Sequence, residues 1–223
     1  MAAIGRATLT LLMAYLFTLG GTFNGVLMPE LKFFSLGIIT IGAGVWFYAR
    51  WRGKWTWYHT PLDYLLVLWG AAFSISLFAN LEDWRRITMG LWYVGVYLLM
   101  WYALNDAIAN RKIQRVTLID SALMGSLIVI FFGFFQLQYA TFNLAKLEFP
   151  RPGSVIGNPN SLGAFLVILG ILSVGRWLTV SNKLGRWLLA IYSLAILILL
   201  FLTFSRGAWI GMGAGLVTLV GLH

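Results

Sequence analysis

Long apolar runs separated by short polar punctuation define the chain. Eight stretches stand out, over residues 7–28, 33–49, 61–80, 87–104, 116–139, 159–180, 187–204 and 207–222. A helix that crosses the hydrocarbon core of a bilayer needs about 20 mostly apolar residues, and each stretch meets or approaches that length. The pattern predicts an all-α fold: a polytopic transmembrane helical bundle of about eight spans, forming one domain over residues 1–223. No soluble domain, linker, low-complexity segment or convincing internal repeat interrupts it.

The heaviest punctuation is Phe149-Pro150-Arg151-Pro152-Gly153-Ser154-Val155-Ile156-Gly157-Asn158-Pro159-Asn160-Ser161-Leu162, with three of the five prolines. Proline lacks an amide N–H and restricts the residue before it, so this stretch cannot continue a helix. It reads as a structured loop delivering Asn158 and Pro159 to the start of the next helix, as N-cap and first helical residue. A second polar break, Ser205-Arg206-Gly207, follows one apolar hairpin later. Thr60-Pro61-Leu62-Asp63 has the same look of a helix start, with Asp63 as a first-turn carboxylate.

Composition sharpens the class. The chain is 60% hydrophobic and 10% charged, against roughly 25% charged in soluble domains. A net charge of +9 would suit nucleic acid, but its placement in short inter-helix loops argues for membrane orientation instead, and no nucleic-acid partner is expected. Cysteine is absent, and the two histidines, His59 and His223, leave no histidine-based metal site. Arg6 precedes the first apolar run without a small-residue cleavage site, so that run reads as an uncleaved span. With the N-terminus cytoplasmic, ten of the 16 basic residues fall on the inner side: Arg6, Arg50, Arg52, Lys54, Arg111, Lys112, Arg115, Arg176, Lys183 and Arg186. Lys32, Arg85, Arg86, Lys146, Arg151 and Arg206 fall outside, so the positive-inside rule favours this orientation. Trp46, Trp51, Trp55, Trp57 and Tyr58 then mark an interfacial aromatic belt.

In this orientation the helices beginning at Pro159 and Gly207 both open on the outer face. A helix N-terminus offers unpaired N–H groups and about half a positive charge. Two such ends beside Arg151 and Arg206 would suit a phosphate or pyrophosphate. Arg85 and Arg86 could add to the same field, and Asn158, Asn160, Ser161 and Ser205 could bond ligand hydroxyls. Plainer roles exist for each. Arg206 could snorkel to the interface, Asn158 could simply cap its helix, and Arg85 and Arg86 could pair with Glu82 and Asp83. Asp120 is expected to form an interfacial pair near Arg115. Gly207, Gly211 and Gly215 recur every four residues and leave one face bare for close helix packing.

The pairing of Gly157-Asn158-Pro159-Asn160-Ser161-Leu162-Gly163-Ala164 with Leu202-Thr203-Phe204-Ser205-Arg206-Gly207-Ala208-Trp209-Ile210-Gly211 resembles the O-antigen ligase and O-antigen polymerase superfamily. Its members are many-span bacterial inner-membrane proteins of lipopolysaccharide and polysaccharide biosynthesis. They move glycan from an undecaprenyl-diphosphate carrier to a glycan or lipid acceptor at the periplasmic face. The resemblance implies that Arg206 is the catalytic residue holding the carrier diphosphate. It also implies that Arg151 and residues 158–161 line the same cavity, and that the transfer is inverting, with no cofactor or metal. Members continue into a large periplasmic loop, so the resemblance implies that this chain is the N-terminal part of such a protein. Neither histidine matches the family's. Rival readings are a membrane transporter or permease for a small anion and a non-catalytic membrane subunit. A transporter would show discontinuous helices or mid-membrane polar groups, which are few here.

Overall fold

The computed structural model describes residues 2–20, 29–53, 59–60, 62–79, 82, 84–110, 113–138 and 151–222. Within them the chain is helical and contains no strand. Helix α1 spans Ala2–Tyr15 and relaxes into one wider π turn, Leu16–Gly20. Then follow α2 (Pro29–Arg52), α3 (Asp63–Ala79), α4 (Trp84–Ala109), α5 (Arg115–Gln138), α6 (Pro159–Thr179), α7 (Lys183–Leu202) and α8 (Arg206–Gly221). A single 3-10 turn, Ser154–Ile156, precedes α6.

Among the described residues, three helical stretches are long and apolar enough to cross a membrane: Arg115–Leu137, Pro159–Thr179 and Lys183–Leu202. At about 1.5 Å per residue the shortest of them spans roughly 30 Å, the thickness of the hydrocarbon core. The other expected spans are represented by helices of another kind. Helices α1, α3 and α8 hold 14, 17 and 16 residues. Helices α2 and α4 are longer but carry charges near both ends, at Glu30, Lys32, Arg50 and Arg52, and at Arg85, Arg86 and Asp106. Residues 21–28, in the second half of the first expected span, lie outside the described residues.

The chain forms two compact units, Phe33–Arg115 on one hand and Met1–Lys32 with Val116–His223 on the other. In the first, partly buried carboxylates tie helices together. Asp106 on α4 accepts from Trp46 Nε1 at 3.0 Å and pairs with Arg50 at 3.1 Å, both on α2. Asp63 caps the turn before α3 by accepting from the Thr60 amide N–H and hydroxyl, and it also accepts from Tyr102 Oη on α4. The first-turn carboxylate therefore does more than meet the helix dipole. It also anchors α3 to α4.

In the second unit α6 is the central element, packed on α7 along one face and α8 along another. Leu162, Leu166, Ile196 and Leu199 are fully buried between them. Small residues set the close approaches. A Cβ added at Gly163 would sit 2.9 Å from Ala208 Cβ, and one at Gly125 would sit 2.7 Å from the Ala14 backbone nitrogen. The regular glycine row of α8 is only partly used in this way. Gly215 lies against Ile171 and Gly211 meets Val167, both on α6, whereas a Cβ at Gly207 would enter open space. Hydroxyl pairs supply the polar glue expected where water is scarce: Ser126 with Tyr192 at 2.6 Å, and Ser173 with Ser193 at 2.8 Å.

Candidate functional site

Short connections make α6, α7 and α8 antiparallel in succession, so the first turns of α6 and α8 lie at one end of this unit. The segment 151–158 is built onto that end from two sides. From α5, Gln136 Oε1 accepts from the amides of Gly153 and Ser154 at 3.2 and 2.8 Å, and its Nε2 donates to Ser154 O at 3.1 Å. Ser154 Oγ donates to Val129 O. These bonds hold Ser154 at φ 51°, in the left-handed region that residues with a side chain seldom occupy. Gly157, at φ 78°, then turns the chain into α6.

Asn158 is the N-cap and Pro159 the first helical residue of α6, as their chemistry predicts. The Asn158 Oδ1 accepts from the amides of Asn160 and Ser161. The N-terminus of α6 is therefore already satisfied, and its donors are engaged internally. Arg151 is likewise committed. Its Nε donates to Thr203 O at 2.7 Å and its Nη2 to Asn160 Oδ1 at 2.9 Å. One guanidinium thus joins the loop, the first turn of α6 and the α7–α8 turn.

That second turn has its own frame. Thr203 is fully buried, with its hydroxyl donating to Leu200 O and accepting from the Ser205 amide. Trp209 Nε1 donates to Leu200 O, and its ring stacks on Phe201 with centroids 5.3 Å apart. Phe204 is held at φ 51°. Ser205 is the N-cap of α8 but makes no side-chain cap bond, so the first amides of α8 lack the side-chain acceptor that α6 has. Arg206 is exposed, with no hydrogen bond or ion pair among the described residues. The space above Gly207 is open.

The two sequence-distant segments are thus brought together through Arg151, Asn160, Thr203 and Ser205. The anion-binding potential sits at one helix end rather than two, at the uncapped start of α8 with Arg206. Ser161 is exposed in the first turn of α6. Arg85 and Arg86 occupy the first turn of α4 in the other unit, and their side chains, like any pairing with Asp83, lie outside the described residues.

Sequence reasoning missed Gln136, Thr203 and Trp209. For Gln136 a signal existed, since a polar amide closing an apolar helix must find partners where lipid offers none. Asp120 is a correction. Its partner is Arg176 on α6, with Nε to Oδ1 at 2.7 Å and Nη2 to Oδ2 at 3.2 Å, rather than Arg115 one turn away on its own helix. The fork of a guanidinium matches both carboxylate oxygens, and the neighbouring helix presents one at the right height. This pair lies at the end of the unit opposite Arg206. Among the described residues no cluster of histidine and acidic side chains could hold a metal ion.

No protein-family model, curated protein or solved structure matches the chain.

Proposed function

We propose that the protein is a glycosyltransferase of the bacterial inner membrane. Its glycan would come from an undecaprenyl-diphosphate carrier and pass to a glycan or lipid acceptor at the periplasmic face. In this reading about eight segments cross the bilayer, the N-terminus is cytoplasmic, and the start of α8 faces the periplasm. The observation that carries the reading is the exposed Arg206, without a partner among the described residues, on an uncapped helix N-terminus with open space at Gly207. Beside it stands the Arg151-braced loop. The likeness of residues 157–164 and 202–211 to O-antigen ligases and polymerases supports the same chemistry.

The acceptor hydroxyl would attack the anomeric carbon, the bond from that carbon to the diphosphate would break with its electron pair, and the hydroxyl proton would pass to water. Charge then grows on the departing diphosphate oxygen. Donors fixed in advance around that oxygen lower the barrier. Arg206 and the α8 amides would supply them, while Arg151 positions the loop that walls the site.

Arg206→Ala and Arg206→Lys test this in lipid nanodiscs, with undecaprenyl diphosphate as the titrant and undecaprenyl phosphate as its comparison. A charge-assisted hydrogen bond contributes about 1.5–3 kcal/mol, so R206A should weaken diphosphate binding by roughly ten- to a hundredfold, and R206K by less. Transfer of labelled glycan in membrane vesicles should fall in parallel. Unchanged binding and transfer in R206A would remove Arg206 from the reaction. Normal transfer with impaired uptake of a small anion would favour transport.

A further inference from the structure

At the end of the unit opposite Arg206, α6 and α7 are joined by the short turn Val180-Ser181-Asn182, in which Asn182 caps α7 through the Leu184 amide. Beside this turn lies a cavity of about 500 Å³ lined by Trp177, Lys183, Arg186, Trp187 and Ala190. The Arg186 guanidinium lies over the Trp177 ring, 5.4 Å from its centroid, so the cation is held in place without a counter-charge. No acidic side chain lines the cavity, and neither Lys183 nor Arg186 is in an ion pair among the described residues. The nearby carboxylate of Asp120 is already bonded by Arg176.

The helix face that carries these cations continues as an apolar stripe. Lys183, Trp187, Ala190, Leu194, Leu197 and Phe201 follow one another at steps of four and three, the spacing of a single α-helical face. Trp187, Leu194, Leu197 and Phe201 are 71%, 58%, 44% and 61% exposed. From Trp187 to Leu197 the rise is about 15 Å, half the thickness of a bilayer core and so one leaflet deep. A cationic, tryptophan-flanked cavity at the head of an exposed stripe one leaflet long has the shape and charge of an amphiphile with an anionic head.

We infer that this face binds one anionic glycerophospholipid, its phosphate between Lys183 and Arg186 and an acyl chain along the Trp187–Leu197 stripe. A soluble phosphate would use the cations but leave the stripe idle, and a zwitterionic lipid would use the stripe but present a competing ammonium. The inference needs only that α6 and α7 cross the membrane, and it is independent of the reaction assigned to Arg206.

The test is native mass spectrometry of the protein released from mixed micelles of dioleoylphosphatidylglycerol and dioleoylphosphatidylcholine, counting retained lipids. Each cation at a membrane surface strengthens anionic-lipid binding by about fivefold, so Lys183→Gln with Arg186→Gln should cut phosphatidylglycerol retention roughly thirtyfold and leave phosphatidylcholine unchanged. Arg115→Gln removes one charge outside the cavity and should have little effect beside Arg186→Gln alone. Glycerol 3-phosphate should not displace the lipid, and rising salt should weaken its retention in the wild-type protein. Equal retention of the two lipids by the wild type would overturn the site. So would an Arg115→Gln effect as large as that of Arg186→Gln, which would indicate only a diffuse surface potential.

Discussion

Replacing Gln136 by leucine removes the brace under the candidate site while keeping the volume and helix-forming character of the residue. The wild-type amide accepts from the N–H groups of Gly153 and Ser154 and donates to Ser154 O. Gly153 and Ser154 are buried, so water cannot readily replace the lost acceptor. Two orphaned amides at about 1 kcal/mol each cost about 2 kcal/mol. For a chain of this size that corresponds to a fall of roughly 4–8 °C in melting temperature. Ser154 is the residue held at φ 51°, so the loop has local strain ready to relax once the brace is gone. Hydrogen exchange followed on peptides covering residues 151–157, together with thermal unfolding in detergent, reads both effects. Gln136→Glu keeps the acceptor oxygen that takes both amides but sets a second carboxylate oxygen, with no proton to donate, against Ser154 O. It should therefore protect the two amides better than leucine while still melting below wild type. If Q136L keeps the exchange protection of residues 153 and 154 and melts within about 1 °C of wild type, the loop is held by something other than Gln136.

Two further outcomes probe the packing around the site. Gly163→Ala places a methyl 2.9 Å from Ala208 Cβ and 3.1 Å from Ser205 Cβ, and such overpacking costs about 1–3 kcal/mol. Adding Ala208→Gly should recover most of that loss in a thermal melt, and no recovery would mean that the α6–α8 approach is not limited by that pair. At the other end, Asp120→Ala, Arg176→Ala and the double variant form a cycle whose coupling should come to about 0.2–1 kcal/mol, the range for partly exposed ion pairs. Strict additivity would show that the two-bond contact between α5 and α6 contributes nothing to stability.

What could be read in advance was what depends on near neighbours. Asn158 and Pro159 start α6 because capping needs only the amides two and three residues on. The break expected at Ser205-Arg206-Gly207 falls slightly earlier, between the end of α7 at Leu202 and the start of α8 at Arg206. Contacts between helices were harder. Asp120 pairs with Arg176, 56 residues away, because α5 and α6 lie side by side with those residues at equal height. The apolar pattern identifies both helices but not their relative rotation. The four-residue glycine row of α8 suggested one continuous packing face, yet Gly207 is exposed with open space above it, while Ala208 beside it is the residue that packs on Gly163 of α6. Two basic residues that looked alike in sequence also proved different. Arg151 is tied to Thr203 and Asn160, while Arg206 is left exposed.

The Arg151 tie also carries a consequence for how the site responds to ligand. The residues it joins, Arg151 and Thr203, are 52 positions apart, so a single guanidinium closes a ring that contains all of α6 and α7. An anion that draws Arg151 towards itself must compete with the Asn160 amide oxygen and the Thr203 carbonyl. The intrinsic affinity is reduced by whatever the tie is worth. The same free energy would appear in reverse: an anion that held Arg151 would loosen the first turn of α6 and the start of α8 together, and loosening either would raise the affinity for that anion. The closed ring thus acts as a latch with two handles, so that mobility at residue 160 and mobility at residue 203 report on one equilibrium.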